Sequence, residues 1–500
     1  MKETFYITTP IYYANAAPHI GSAYTTIAAD ILARWNRLLG NEVFFLTGTD
    51  EHGQKIQDAA KKADLDPEEF VDQIAKKFKE TFEILNISND NFIRTTDKKH
   101  EQEVKEILQE LYNKKLIYKG TYESHYCIGC EQYKTKNELI EGKCPLHKIE
   151  PQIIKEESYM FKLSKFQNKL SNLIKKNSYQ ILPEKRKNEV LSFMQEGLED
   201  ISISRLKSKV DWGIELPFDK EHTCYVWVDA FWNYITGLKS KENQKKFWPP
   251  NTQLMANDII RVHATIWPAL LLALDYELPK TLFVHGYFTV NGQKMSKSLG
   301  NVISPEYIVQ KYSVDTLRYY LMRKISFGND GDFSEEALKD SHNNELANKL
   351  GNLVSRVSTL AEKYGLEKTK PSIPIKETIK QVQNHFNNYE LHKVLESIFA
   401  YIDKTNEYIQ EKKPWEVRSP QREDPQQSEE AHSKSESNSR KVLYELVLAI
   451  KNIAVLLSPF MPETTEKIAK TFNFKISLDE IDKPLKIQDI KKSEILFKKI

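Results

Sequence analysis

The residues best equipped for chemistry sit in short segments far apart in the chain. Lys294-Met295-Ser296-Lys297-Ser298 places two lysines a turn apart on a loop that follows Thr289-Val290-Asn291-Gly292. Two ammonium groups with neighbouring hydroxyls suit a mobile clamp on a polyphosphate, although the same letters also describe a solvated basic loop in a chain with 72 Lys and Arg. Pro18-His19-Ile20-Gly21 follows a first strand and opens the first helix. Helix N-termini beyond the carboxyl ends of parallel strands offer free N–H groups to phosphates. There an imidazole can donate to a phosphate oxygen, and a glycine lets a nucleotide approach the backbone. A lone His-Ile-Gly is usually incidental. The two segments in this order, each beside a strand of one sheet, point together to a nucleotide.

A third group is metal-ligating. Cys127-x2-Cys130 is followed by Cys144-x2-His147. Two short-spaced pairs joined by a small loop can close one tetrahedral Cys3His zinc site with no open position, which makes the Zn2+ structural. Gly129 and Gly142 are expected to ease its tight turns. The competing reading is three buried thiols beside an incidental histidine. Cys224 lies far off and reads as packing.

These residues need a scaffold. Thr4 to Thr8 and Val43 to Thr47 read as strands, and Ile27, Ile31, Trp35 and Leu38 between them recur at helical spacing up to Gly40. This β-α-β unit predicts a parallel sheet, which Thr281 to His285 rejoins much later. Leu116 to Ile201 is the expected insertion. Past residue 340, Leu346, Leu350, Leu353, Val357 and Leu360, then Val442, Leu446, Ile450, Ile453 and Leu457, mark long amphipathic helices. The predicted units are 1–115 and 202–290 for the α/β domain, 116–201 for the insert with its knuckle at 127–147, 291–340 for the lysine-loop region, and 341–500 for an all-α domain. Within the last, the polar stretch 418–440 is expected to be a mobile surface loop.

Composition bounds the class. The 500 residues are 40% hydrophobic and 28% charged, with net charge +2, so bulk charge is silent on nucleic acid. No apolar run approaches the roughly 18 residues of a membrane helix, and the N-terminus carries no secretory pattern, so a cytoplasmic location is expected.

The two nucleotide segments resemble the paired His-Ile-Gly-His and Lys-Met-Ser-Lys-Ser signatures of class I aminoacyl-tRNA synthetases. The second is matched in full; the first departs at Ser22, which can hydrogen-bond but carries no charge. The resemblance implies a Rossmann-type parallel-sheet catalytic domain with an inserted zinc-knuckle connective domain, followed by an all-α anticodon-binding helical bundle. It further implies ATP contacts from His19, Gly21, Ser22, Asp258, Lys294, Ser296 and Lys297, with Mg2+ accompanying ATP. His19, Lys294 and Lys297 would be catalytic, stabilising charge on the departing pyrophosphate.

Within that class, Ile11-Tyr12-Tyr13-Ala14-Asn15, Thr47 to Gly53, Tyr225 to Ala230 with Tyr234, and Asp258 to Pro268 are similar to methionyl enzymes. By that likeness Asp50 pairs with the substrate ammonium and Tyr13 covers the side-chain pocket. Ile11, Trp227, Ala230, Tyr234, Ile259, His263 and Trp267 line the rest, the last three from one helix face. Singly, Trp227 and Trp267 read as core aromatics. Ala256 stands where a glycine is usual, which predicts weaker ATP binding, and Phe231 replaces a small residue or proline. Asn352 and Arg356, four apart on one helix, and Lys413-Pro414-Trp415 match the anticodon readers, so that Asn352, Arg356, Pro414 and Trp415 would meet initiator and elongator tRNA(Met). About 275 residues separate the signatures, too few for a large hydrolytic editing insert. The chain's end soon after the helical domain makes a monomer the expectation. The rival readings are a synthetase for another amino acid and a catalytically impaired synthetase-derived tRNA-binding protein.

Overall fold

Tyr6, Ile7 and Thr8 end the first strand with three consecutive buried residues, as a strand covered on both faces of a parallel sheet requires. The computed structural model describes residues 2–134, 139–290, 292–294, 302–417, 425–486 and 490–500. It places Thr4–Thr8 between Glu42–Asp50 and Thr252–Ala256, with Thr281–His285 next and Gln180–Leu182 at the edge. Tyr12–Tyr13 and Asn91–Arg94 also pair with Glu42–Asp50, and all seven strands run parallel. The expected β-α-β unit is therefore present, its helix spanning Ile20–Leu38.

The chain divides into two compact units. The first comprises Met1–Ala33, Asn41–Glu83 and Ile87–Tyr287; the second comprises Arg34–Gly40, Ile84–Asn86 and Phe288–Ile500. In the first, an antiparallel sheet in the order Gln132–Lys134, Ile117–Cys127, Gln152–Phe161, Ile201–Ser202 carries the cysteine cluster. The insert is not continuous as read. Within 116–201, Gln180–Leu182 returns to the parallel sheet, pairing with Thr281–Phe283. A three-residue strand stopped by Pro183 is too short to leave a periodic signal.

In the second unit, helices dominate from Pro305 onward. The polar stretch 418–440 is a correction: residues 418–424 lie outside the described residues, but from Pro425 a single helix continues to Leu457. Gln, Glu, Ala, Lys and Arg there are strong helix formers, no glycine interrupts them, and proline at a helix start forfeits no helix bond. Their polarity reports a solvated helix face. Ser437 Oγ donates to Glu367 at 2.7 Å, and Lys441 pairs with the same carboxylate at 3.1 Å, so this part is docked. Fully buried Arg318 donates to the carbonyls of Phe460, Pro459 and Leu85, tying three backbone segments together. Phe288–Val290 pairs with Gln293–Lys294 and Gly331–Phe333. Asp332 accepts from the Thr289 hydroxyl and the Gly292 N–H, anchoring the base of the lysine hairpin. Among the described residues, no helix is long and apolar enough to cross a membrane.

One glycine is fixed by close strand approach. A Cβ on Gly48 would stand 2.0 Å from the Ile93 carbonyl oxygen, which is backbone of the adjacent strand. Gly48→Ala should destabilise the first unit by about 3 kcal/mol, read as a lower urea midpoint. An unchanged midpoint would show that the strands separate without cost.

Candidate active site

At the carboxyl ends of the central strands lies a cavity of about 300 Å³, entirely within the first unit. Three walls enclose it: Pro10 to Tyr13 with Asp50, Trp227 to Tyr234, and Ala256 to His263. His19, Gly21 and Ser22 border its mouth. The first two loops are pinned together by the Ala14 N–H, which donates to the Asp50 carbonyl at 2.9 Å.

The helix entry is built by its own residues. His19 Nδ1 accepts the Gly21 N–H at 3.0 Å. The Ser22 hydroxyl accepts the His19 N–H at 3.0 Å and donates to the His19 carbonyl at 2.7 Å. Ser22 is thus committed to the main chain of the turn, where the sequence reading expected a phosphate contact. Lys294 is described only in its backbone, and Ser296 and Lys297 fall outside the described residues. Ala256 ends its strand at φ −82°, an ordinary extended conformation that does not require glycine.

Asp50 is the electrostatic centre. It is 4% exposed, and its Oδ1 has no hydrogen-bond partner among the described residues. Burial raises its pKa well above the usual carboxylate range, and the nearby Asp229, Glu131 and Glu51 push it further. A cation entering the cavity would relieve both effects.

The apolar walls are aromatic. Tyr13 meets Trp227 edge-on at 6.2 Å between centroids, and Trp227 meets His263 at 5.9 Å. His263 Nδ1–H donates to the Ile259 carbonyl, leaving Nε2 to accept the Tyr234 hydroxyl at 2.8 Å. Burial lowers the pKa of His263 to about 4, so the ring is neutral at physiological pH. Ile11, Tyr13, Asp50, Trp227, Ala230, Tyr234, Ile259 and His263 are all brought together, as are Asp258, His19 and Gly21. Trp267 is not. It is fully buried behind the wall, stacked on Phe231 at 5.7 Å, with its N–H directed to Gln253. The helix face expected to carry Ile259, His263 and Trp267 is broken at Thr265, between Ile260–Ala264 and Ile266–Ala273. Pro268 lacks the N–H that would reach Ala264, which ends the four-residue repeat. Phe231 takes the vacated place in the lining.

Sequence reasoning missed the support beneath this pocket. Asp229, 1% exposed, accepts from His52 Nδ1 at 2.7 Å and from His100 Nε2 at 2.8 Å. Burial alone would raise the Asp229 pKa, but the two imidazoles bring it below the usual range. Burial lowers that of His52, yet Asp229 and Glu101 bring it above. Asp229 thereby ties the helix bearing Trp227 and Ala230 to the segment bearing Asp50. The available signal was a carboxylate inside one pocket stretch and a histidine inside another. His285 was also missed: its Nε2 lies 2.7 Å from the Thr25 hydroxyl, and burial lowers its pKa to about 4.

The knuckle fits a metal. All four candidate ligand atoms lie within 4.8 Å of one another. Cys127 Sγ and Cys144 Sγ are 3.8 and 3.9 Å from His147 Nδ1, and Cys130 Sγ is 4.0 Å from Cys144 Sγ. Zinc bonds of about 2.3 Å to sulfur and 2.1 Å to nitrogen put tetrahedral ligands roughly 3.6–3.8 Å apart. None of the three cysteines forms a disulfide. Burial raises the pKa of Cys144, but N–H groups of His147 and Leu146 outweigh it and favour the thiolate. Gly142 supplies a positive-φ turn as expected (φ +77°). Gly129 is needed for a different reason: a Cβ there would meet the His147 ring at 2.6 Å.

In the second unit, Asn352 and Arg356 are exposed, and the Arg356 guanidinium stands 5.5 Å from the centre of the Trp415 ring. Trp415 is 36% exposed and Pro414 is buried, just after Lys413 ends the helix Leu391–Lys412 in a left-handed conformation. The helix read through Leu346 to Leu360 is wound in wide π turns over His342–Gly351 and becomes α-helical only at Asn352.

A family model for tRNA synthetases class I (M) matches residues 5–152 and 135–358, and one for the anticodon-binding domain of tRNA ligase matches 374–499. A methionine–tRNA ligase of Caldanaerobacter subterraneus subsp. tengcongensis is 42% identical over 100% of this chain and 79% of its own length. One from Rickettsia bellii is 41% identical over 94% of this chain and 92% of its own. The structure of Mycobacterium tuberculosis methionyl-tRNA synthetase in complex with methionyl-adenylate superimposes with a TM-score of 0.92, at 34% identity over 99% of both chains.

Two predictions follow from the buried acids. Because the Asp50 pKa is raised, the carboxyl gains its proton early as pH falls, and the cavity loses its anion. Methionine affinity, followed by tryptophan fluorescence, should weaken as pH falls while ordinary carboxylates are still ionised, approaching tenfold per unit below the raised Asp50 pKa. In Asp50→Asn it should be weak and flat with pH; a flat wild-type profile would refute the assignment. Asp229→Asn should raise the methionine KM about tenfold while leaving the ATP KM within about twofold. Equal effects on both substrates would mean that the tie acts on the fold at large.

Proposed function

The chain belongs to the class I tRNA synthetases of the methionyl group, and from that membership we propose how its residues divide the work. The enzyme joins L-methionine to ATP, forming methionyl-adenylate and pyrophosphate, and transfers the methionyl group to the terminal adenosine of tRNA(Met).

The observation that carries the assignment of the amino-acid site is the buried, unpartnered Oδ1 of Asp50 facing an aromatic cavity. It takes the substrate ammonium. The thioether side chain packs among Ile11, Tyr13, Trp227, Ala230, Tyr234, Ile259 and His263, where a polarizable sulfur gains from aromatic contact. A neutral His263 keeps this wall free of charge. His19 and Gly21 face the triphosphate and Asp258 the ribose. Lys294, Ser296 and Lys297 close over the phosphates, and Mg2+ bound with ATP adds positive charge there. A methionine carboxylate oxygen bonds to the α-phosphorus as the bond to the pyrophosphate oxygen breaks. His19 and the lysines stabilise the charge that the leaving group gathers. A ribose hydroxyl of the terminal adenosine then attacks the carbonyl carbon, and AMP departs. Cys127, Cys130, Cys144 and His147 would hold one Zn2+, which would fix the knuckle and supply no chemistry to either step. Asn352, Arg356 and Trp415, seated by Pro414, read the anticodon, the indole serving as a stacking platform. The cytoplasm, with its pools of tRNA and ATP, is the compartment this reading implies.

ATP–pyrophosphate exchange tests the assignment. Methionine alone among the amino acids should drive exchange, and Lys297→Ala should slow it about a hundredfold or more. Exchange driven by another amino acid would move the chain to a different specificity. No exchange, with tRNA binding retained, would favour the non-catalytic tRNA-binding reading.

A further inference from the structure

Lys55 belongs to neither nucleotide signature and has no role in the chemistry just described. It is the second residue of the helix Gln54–Lys62, which follows directly on the segment that carries Asp50. Its contacts join two parts of the enzyme. The Lys55 backbone N–H donates to Glu131 Oε1 at 3.0 Å, and its Nζ donates to the Gly129 carbonyl at 2.9 Å. The same ammonium stands over the Tyr13 ring, 4.6 Å from its centre.

Gly129 lies between the metal ligands Cys127 and Cys130, and Glu131 follows the second of them. Glu131 is only 1% exposed, and its backbone carbonyl accepts the hydroxyl of Tyr225, which precedes the pocket helix. Gly53 permits this contact: at φ +96°, a Cβ would stand 3.1 Å from Glu131 Oε1 and 3.2 Å from Val226 Cβ. The knuckle is therefore seated on the amino-acid pocket through its ligand-bearing turn.

We propose that Lys55 is a positioning residue that couples the metal knuckle to Tyr13, so that methionine affinity depends on zinc at a site that never touches the substrate. The inference rests on the assignment of Tyr13 to the methionine pocket. Two cysteines bound to one metal fix the turn between them, and with it the direction of the Gly129 carbonyl. That carbonyl and the Tyr13 ring face together hold the ammonium, and the ammonium in turn holds the ring against Trp227. Without the metal the carbonyl is no longer aimed, the lysine swings to solvent, and the Tyr13 ring loses the group that fixes one face. The ATP side shares none of these contacts.

The test combines zinc removal with Lys55→Met, which keeps the stem and removes the charge. Methionine dissociation constants come from tryptophan fluorescence, with zinc content and circular dichroism measured on the same samples. Lys55→Met should weaken methionine about tenfold, with the ATP constant within about twofold and the circular dichroism unchanged. Chelation should weaken methionine in the wild type by a similar factor, restored by added zinc, and should add little in Lys55→Met. Lys55→Arg, which keeps a cation, should recover most of the affinity.

Wild-type affinity in Lys55→Met would overturn the proposal. So would chelation that costs the variant as much as the wild type, because the coupling would then bypass Lys55. Lys55→Arg as weak as Lys55→Met would assign the effect to stem packing and likewise overturn it. A wild type with zinc bound and no methionine affinity would instead sink the function on which the proposal rests.

Discussion

The first unit turns on one buried carboxyl group, Asp50, which lines the cavity with one oxygen unpartnered among the described residues. Asp50, Asp229, Glu51 and Glu131 lie close together, and of their oxygens Asp50 Oδ1 and Glu131 Oε2 are buried without a hydrogen bond among the described residues. Asp229 is held by His52 and His100. Glu51 accepts from Arg94 at 2.8 Å, and Glu131 accepts the Lys55 N–H. Asp50 is left with an unpartnered oxygen. A buried charge without a partner costs several kcal/mol, and a fold retains one where a ligand completes it. Of the four, Asp50 is the one that lines the cavity, so it is the carboxyl that a cation entering there would meet.

The same distribution explains why the pocket wall is neutral. An imidazolium beside the cavity would itself interact with the Asp50 carboxylate. Burial depresses the His263 pKa, and its hydrogen bonds to Ile259 and Tyr234 hold one neutral tautomer. Phe231 closes the wall against that ring at 5.1 Å, and Trp267 backs Phe231 from the core. Two aromatic layers therefore hold the lining rigid. Rigidity matters here because one methylene in a hydrophobic pocket is worth only about 1–3 kcal/mol of discrimination.

Much of this was legible in the sequence, and what was not has a common cause. The signatures, the knuckle ligands and the pocket stretches are local strings, and Cys127, Cys130, Cys144 and His147 do converge. Periodicity located the first strands and helix because burial repeats along them. It reports burial, however, and not the partner. Trp267 and Phe231 exchanged roles for that reason: both are buried aromatics, and only the break at Thr265 decides which faces the cavity. Pro268 was a visible warning of that break. The polar run after Pro425 failed in the opposite sense, since solvated helix and solvated loop share a composition. The Asp229–His52–His100 tie spans 177 residues between Asp229 and His52, and no local pattern marks such a pairing.

The departure at Ser22 takes a different meaning once its bonds are known. Read as a string, a serine in place of histidine removes a charged contact from the triphosphate. In the structure its hydroxyl accepts from the His19 N–H and donates to the His19 carbonyl, reaching back from the third helical position to the cap position as in a capping box. The same turn directs the Gly21 N–H into His19 Nδ1, which fixes the imidazole through its backbone-facing nitrogen. The serine thus contributes to the orientation of the one signature histidine that remains. In the second unit, Asp332 anchors the base of the hairpin that pairs Phe288–Val290 with Gln293–Lys294 through two hydrogen bonds. A signature missing one histidine is therefore not a weakened copy. It is a helix entry whose first turn is closed by the serine hydroxyl and the remaining imidazole together.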